Sequence, residues 1–367
     1  MSSITRRNLL SSGLALSASS LLDRFSRAAA FADAAQSAAA IAPREQLLFD
    51  FGWKFTFGHG SDPAKDLGFG FGQADFSKTG DFQTAKPGFD DSHWRNLNLP
   101  HDWAVELPFV HDDSSNGGDS ALTGHGYKPL GRRFPETSVG WYRREFDIPA
   151  GDLGRRIWVE FDGAFRDALV WVNGCFVGRN DNGYAGFRFD LSDFLAYGKR
   201  NCILVRVDAS FGDGWFYEGA GIYRHVWLTK TDAVHLGKWD SLVRATVSGD
   251  SATLALDTVV ENQGNRPANA KVSWKILDGK GATVATAEAP AQTIAIDGSA
   301  AYSATAKLPN PALWSVEAPN LYSAVVTVET DGKPRDAERV SFGVRTAVFD
   351  AEKGFFLNGK SVKIQGV

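Results

Sequence analysis

The chain reads as all-β, two sandwiches in tandem, and three observations carry that expectation. Its 38 Gly, 11 Trp and 26 Phe against a single Met indicate many turns and bulky strand side chains. Apolar residues recur with period two: Ile157, Val159 and Phe161 alternate with Trp158, Glu160 and Asp162, and Ile203, Val205 and Val207 alternate with Leu204, Arg206 and Asp208. Such alternation predicts strands packed on one side. Asn173-Gly174, between ALVWV and CFVG, predicts a hairpin, because both central turn positions need a positive φ that Asn and Gly tolerate. Short strands with no helical pattern between them point to sandwiches rather than to an α/β fold.

Taken in order, the elements start after a targeting segment. Thr5-Arg6-Arg7-Asn8-Leu9-Leu10 resembles a twin-arginine export signal, followed by an apolar run to Leu22 and by small residues at Ala28, Ala29 and Ala30 that suit cleavage. The run is too short and too rich in Ser and Ala for a transmembrane anchor, which needs about 20 strongly apolar residues. Residues 1–44 are therefore assigned to the signal and an Ala-rich lead, and the protein is expected to be periplasmic or secreted, with no membrane association after cleavage. The first domain spans residues 45–232. The second spans 233–344, where Leu254, Leu256, Thr258 and Val260, then Val272, Trp274 and Ile276, then Tyr322, Ala324, Val326 and Val328 each face one way. Its length matches an immunoglobulin-like sandwich of about 100 residues. With no cysteine in that stretch, the antibody-type bridge is excluded. Residues 345–367 form a separate closing segment, with GFFLNGKSVKIQGV at Gly354 to Val367.

A hydrophobic content of 43% and a charged content of 22% permit a packed core. The net charge of -4 leaves no basic footprint for nucleic acid. Cys175 and Cys202, the two cysteines, sit in strand-like stretches without metal-ligand spacing and read as small free thiols. No cofactor is implied: GFGFG at Gly68 to Gly72 lacks the strand-to-helix context of a dinucleotide site. HDDSSNGGD, His111 to Asp119, lacks the order of a calcium loop and reads as a solvated acidic loop, so no metal is expected.

The run GWYRREFDIPAGDLGRRIWVEFDGAFRDALVWVNGCFVGRNDNGYAGFRFDLSDFL from Gly140, the phrase FDDSHWRNLNLPHDW (Phe89 to Trp103), GIYR (Gly221 to Arg224), LWSVEAPNLY (Leu313 to Tyr322) and FGVR (Phe342 to Arg345) occur in an order that resembles the front part of glycoside hydrolase family 2, the β-galactosidase, β-glucuronidase and β-mannosidase group. One departure is Val316, where the family has Pro. The resemblance implies that the first sandwich is a jelly-roll sugar-binding domain and the second the family's immunoglobulin-like domain. It implies that GFFLNGKSVKIQGV leads into a catalytic (β/α)₈ barrel. Retaining hydrolysis needs two carboxyl groups about 5–5.5 Å apart, which this family carries on the barrel. A barrel takes about 250 residues, and only 22 follow Arg345. No catalytic residue is therefore assigned, and the chain alone is expected to be inactive.

His101-Asp102 invites a triad reading, but no Gly-x-Ser-x-Gly elbow accompanies it, and PHDW is a structural phrase of the family. The resemblance places jelly-roll loops over the barrel mouth, where they help to form the innermost sugar subsite. In the compared branches an acidic residue stands six positions before the glycine of GIYR; here Trp215 stands there, with Asp213 before it and Glu218 after it. Asp213, Trp215 and Glu218 are substrate-binding candidates, Trp215 by stacking. Packing of Trp215, Phe216 and Tyr217 at an interface is the alternative, since amphipathic rings are enriched there. His125 and Tyr127, on the long loop from Glu106 to Gly140, complete the set. Trp53, Trp94, Trp141, Trp158 and Trp171 read as framework.

The expected function is the N-terminal part of an exported glycosidase that cleaves terminal β-glycosides, of β-galactosidase type. The alternative is a non-catalytic exported carbohydrate-binding module. The partner is a carbohydrate. Self-association into a homo-oligomer is expected if apolar faces are left exposed.

Overall fold

The computed structural model describes residues 44–111, 126–211 and 218–366. The first ten strands are β1 (Glu45–Leu48), β2 (Trp53–Phe57), β3 (Arg95–Leu97), β4 (Val139–Ile148), β5 (Arg156–Phe161), β6 (Ala168–Val172), β7 (Cys175–Asn180), β8 (Phe187–Asp190), β9 (Lys199–Asp208) and β10 (Val226–Thr231). They form a four-stranded sheet, β1-β10-β5-β8, and a six-stranded sheet, β3-β2-β4-β9-β6-β7. One apolar core joins the sheets: Ile157, Val159, Phe161 and Leu228 from the first meet Phe55, Tyr142, Val170 and Val205 from the second. This is the jelly-roll sandwich.

The hairpin forms at the expected dipeptide. Asn173 and Gly174 take φ of 51° and 85° between β6 and β7. The Asn173 side chain fastens the turn to the sheet: its Nδ2 donates to Phe194 O (2.8 Å) and its Oδ1 accepts from Cys202 N (3.0 Å).

One-sided packing, expected for β5 and β9, is corrected: both faces of both strands are buried. In β9, Leu204, Arg206 and Asp208 lie under a second layer, because residues 63–94 fold back as short 3-10 turns over the outer face of the six-stranded sheet. There Phe82, Ala85 and Trp94 pack with Trp141, Leu169, Trp171 and Leu204 as a separate cluster. Phe69, from the GFGFG stretch, lies 6.0 Å from Trp171 and 4.5 Å from the Arg206 guanidinium. In β5, Trp158 and Glu160 are covered by the second domain, where Trp158 meets His235 at 6.0 Å and Glu160 Oε2 meets Lys238 Nζ at 2.5 Å. Apolar content alone could not reveal these covers, since each mixes charge with aromatic surface.

The second sandwich comprises β11 (Val234–Leu236), β12 (Leu242–Ser248), β13 (Ser251–Asn262), β14 (Ala268–Leu277), β15 (Thr283–Ile294), β16 (Gly298–Pro309), β17 (Tyr322–Thr330) and β18 (Lys333–Phe342). β13 is flanked by β11 and β12 on one side and β16 on the other, and the facing sheet is β15-β14-β17-β18. Its core gathers Leu254, Leu256, Val260, Val272, Trp274, Ile276, Ala324, Val326 and Val328, the residues whose period two marked the strands. Thr258, on the same face, is buried and shares a 2.7 Å hydrogen bond with Ser241. β19 (Ala347–Asp350), β20 (Gly354–Leu357) and β21 (Lys360–Ser361) follow as a three-stranded sheet. It leaves Val348 and Phe349 exposed, as is Ile364 just after it. Every strand pair among the described residues is antiparallel, so they contain no parallel barrel.

Both cysteines are free thiols; Cys202 is buried and Cys175 half-buried. Burial pushes the Cys202 thiol up to about 12, against the opposing Arg143 charge. The five framework tryptophans are all buried.

Candidate functional site

The site begins with a short turn. Residues 101–104 run beside residues 220–222: His101 N donates to Ile222 O (2.8 Å) and Trp103 N to Ala220 O (2.9 Å). Asp102 caps the turn, its Oδ1 accepting from Ala104 N and Ala220 N at 2.9 Å each. Gly221 then exchanges two backbone hydrogen bonds with Phe165, at 2.7 and 2.8 Å. A side chain at Gly221 would sit at φ +122° with its Cβ 2.4 Å from Tyr142 Oη and 2.5 Å from His101 O. Glycine is therefore required for three segments to meet here.

Around this junction opens a cavity of about 450 Å³ lined by Ala104, Phe109, Tyr127, Lys128, Leu130, Gly131, Phe165, Ala209, Glu218 and Gly219. Tyr127 is held at its rim by a two-bond bridge to Val110, at 2.9 and 3.0 Å. Lys128 Nζ donates to Leu107 O (2.5 Å) and lies 4.3 Å from the Phe109 ring centre. Its charge is thus spent on pinning the rim loop. The walls are mostly apolar and aromatic, with a carboxylate and a phenol for polar contacts, the composition of a small-ligand site.

Tyr127 and Glu218, far apart in sequence, are brought together as lining residues of this cavity. Asp213, Trp215 and His125 lie outside the described residues, as do most of His111 to Asp119 and Phe216 and Tyr217. Phe109, Lys128, Leu130 and Phe165 also line the cavity. Sequence reading did not single them out, because none sits in a chemical motif and Phe165 joins the others only through the fold.

His101 serves as framework. Arg95 NH2 lies 2.7 Å from its Nε2 and can only donate, so Nε2 accepts and Nδ1–H donates to Tyr142 Oη at 2.8 Å. Glu106 Oε1 stands 3.3 Å from the same Nε2. In that tautomer this approach is no hydrogen bond; Arg95 links the two by donating to Glu106 Oε2 at 2.7 Å. Burial lowers the His101 pKa, Glu106 opposes, and Arg95 adds to the lowering. Burial pushes the Tyr142 phenol well above its ordinary value. A neutral imidazole locked between a guanidinium and a buried phenol is a brace and not a proton shuttle.

A jelly roll joined to an immunoglobulin-like sandwich, with loops of the first gathered round an open cavity, defines a two-domain β-sandwich protein. Residues 82–232 match the family model "Glycosyl hydrolases family 2, sugar binding domain", and residues 235–345 match "Glycosyl hydrolases family 2". The chain belongs to glycosyl hydrolases family 2. It is 33% identical over 336 residues to the beta-galactosidase BoGH2A of Bacteroides ovatus, covering 91% of this chain and 35% of that protein. It is 27% identical over 315 residues to a beta-glucuronidase of Formosa agariphila, covering 79% and 31%. Among solved structures, a family 2 member from Bacteroides cellulosilyticus superposes with a TM-score of 0.69 at 32% identity, over 87% of this chain and 39% of that one. A beta-glucuronidase of Bacteroides uniformis superposes with a TM-score of 0.70 at 26% identity, over 89% and 35%. The chain thus spans about a third of the length of these relatives.

Proposed function

We propose that this chain is the substrate-shaping front portion of an exported glycoside hydrolase that removes terminal β-glycosides, of β-galactosidase type. The chain itself binds sugar weakly and does not hydrolyse it. The observation that carries this reading is the convergence of Tyr127 and Glu218 on one open cavity at the loop end of the family's sugar-binding sandwich. An aromatic wall covers the apolar face of a pyranose, and a carboxylate accepts from its hydroxyls, so the lining suits one sugar ring. Two features support an inactive chain. The retaining mechanism needs an acid pair about 5–5.5 Å apart on a rigid frame, and the relatives named beta-galactosidase and beta-glucuronidase are about three times as long. Export rests on Arg6-Arg7 and the apolar run behind them.

The test uses the purified 367-residue chain. Chromogenic β-galactoside and β-glucuronide should show no turnover above buffer. Calorimetry with galactosides at millimolar concentration should show weak heat that Glu218→Gln and Tyr127→Ala both abolish. Measurable turnover overturns the division of labour, and heat that both variants leave unchanged overturns the site.

A further inference from the structure

The seam between the two sandwiches is rich in polar groups, and Arg44, Arg156 and Arg335 each reach across it. Each sandwich has its own apolar cluster, with no residue shared between the two. On the seam side of the first domain, Trp158 on β5 pairs directly with Thr229 on β10, and Arg156 with Thr231, so these residues share one face. The buried polar atoms Trp158 Nε1, Glu160 Oε1, Thr229 Oγ1 and Thr231 Oγ1 have no hydrogen-bond partner there, and neither does Gln263 Oε1 opposite. Direct contacts across the seam include Lys238 Nζ to Glu160 Oε2 at 2.5 Å and Arg156 NH2 to Gln263 O at 2.9 Å.

Arg44 makes a two-pronged bond across the seam. It is the last residue of the segment read from sequence as a flexible lead, and it directly precedes β1. Its Nε and NH2 grip Asp336 Oδ1 and Oδ2 of β18 at 2.8 and 2.6 Å, while NH2 also donates to Leu236 O at 3.1 Å. Asp336 has a fully buried side chain and also accepts from Leu236 N (2.8 Å) and from Ala337 N (2.9 Å). Glu338 stands 3.6 Å from Arg44 NH1. A planar guanidinium held at both ends by a buried carboxylate fixes an orientation, which a single ammonium does not.

We infer that the Arg44–Asp336 pair is a latch that sets the angle between the sugar-binding domain and the immunoglobulin-like domain. An oily seam resists opening in proportion to its apolar area. A polar one exchanges its contacts for water at little net cost, so inter-domain motion is governed by the few bonds that hold geometry. Releasing Arg44 frees the seam while each core stays intact, and the two sandwiches then move and unfold independently.

The experiment compares the full chain with Arg44→Gln and Arg44→Lys by differential scanning calorimetry and small-angle X-ray scattering. Wild type should melt in one transition. Arg44→Gln should melt in two, separated by roughly 5–10 °C, with a broader distance distribution in scattering, and Arg44→Lys should fall between. One transition with an unchanged scattering profile in Arg44→Gln overturns the latch. So does one transition simply moved down, because that marks a structural role inside one unit. Should Arg44→Gln not fold, Lys238→Gln, which removes another ionic contact of the seam, carries the same two readouts with a smaller splitting expected.

Discussion

Asp66 is where the outer layer of the first domain can be detached with a single change. Its side chain is 3% exposed. Oδ1 accepts from Trp141 Nε1 at 2.6 Å and from His59 N at 3.2 Å, and Oδ2 accepts from Arg206 Nε at 2.9 Å. In Asp66→Ala, Arg206 keeps only Asp208, at 3.1 Å, as a carboxylate partner. Stripping one partner from a buried ion pair costs about 3–5 kcal/mol, and the surviving Asp208 contact puts this case at the lower end. An unpaired Trp141 indole N–H adds about 1–3 kcal/mol. The combined loss is about 4 kcal/mol, and in a domain of this size each kcal/mol lowers the melting temperature by about 2–4 °C. Asp66→Ala should therefore melt roughly 10 °C lower and become sensitive to protease within residues 60–90. Asp66→Asn keeps an accepting oxygen for Trp141 but loses the charge, so it should lose the ion-pair share, about 3 kcal/mol. Thermal unfolding followed by near-ultraviolet circular dichroism, with limited proteolysis beside it, reads both effects. A loss below about 1 kcal/mol for Asp66→Ala, or a negligible loss for Asp66→Asn, refutes the assignment of this carboxylate as the charge partner of Arg206.

Two further expectations come from buried titratable groups. Cys202, pushed up to about 12 by burial, should resist an aromatic disulfide reagent in the native chain and react only after denaturation, while half-buried Cys175 labels natively; fast labelling of both thiols would contradict it. His101 has a folded pKa depressed by burial, so the unfolded chain takes up the proton first on acidification. Its contribution to stability is present above the unfolded imidazole value of about 6.5 and is lost as pH falls from there towards the lower folded value. His101→Gln should flatten the slope of melting temperature against pH in that window, and a slope identical to wild type would show that another group titrates there.

Much of the architecture was legible in the chain because it is local. Asn173-Gly174 closes its hairpin since the two residues tolerate the 51° and 85° φ that the turn needs. Leu254, Leu256, Val272, Trp274 and Ile276 face the core of the second sandwich because a pleated strand sends alternate side chains to one side. The tryptophans are buried framework: Trp53 stands at an inward strand position, Trp94, Trp141 and Trp171 lie within the folded-back layer, and Trp158 lies under the second domain. The second burial of β5 and β9 was not legible. Leu204, Arg206 and Asp208 look like a solvent face until residues 63–94 return to cover them, and Trp158 with Glu160 looks like one until His235 and Lys238 arrive from the next domain.

The candidate site divides along the same line. Tyr127 and Glu218 could be nominated from sequence, since each lies in a loop phrase of a family with known order. Their sharing of one cavity with Phe109, Lys128 and Phe165 could not, because it depends on Gly221 letting three segments approach within van der Waals contact. By itself the sequence determined the facing of the clearly alternating strands, which follows from spacing along one chain, and the family, which follows from the order of its phrases. Only the tertiary structure decided what covers each face and which loops meet. Those contacts join residues far apart in the chain, and neither the alternation of side chains along a strand nor the chemistry of a turn carries information about a neighbour that distant.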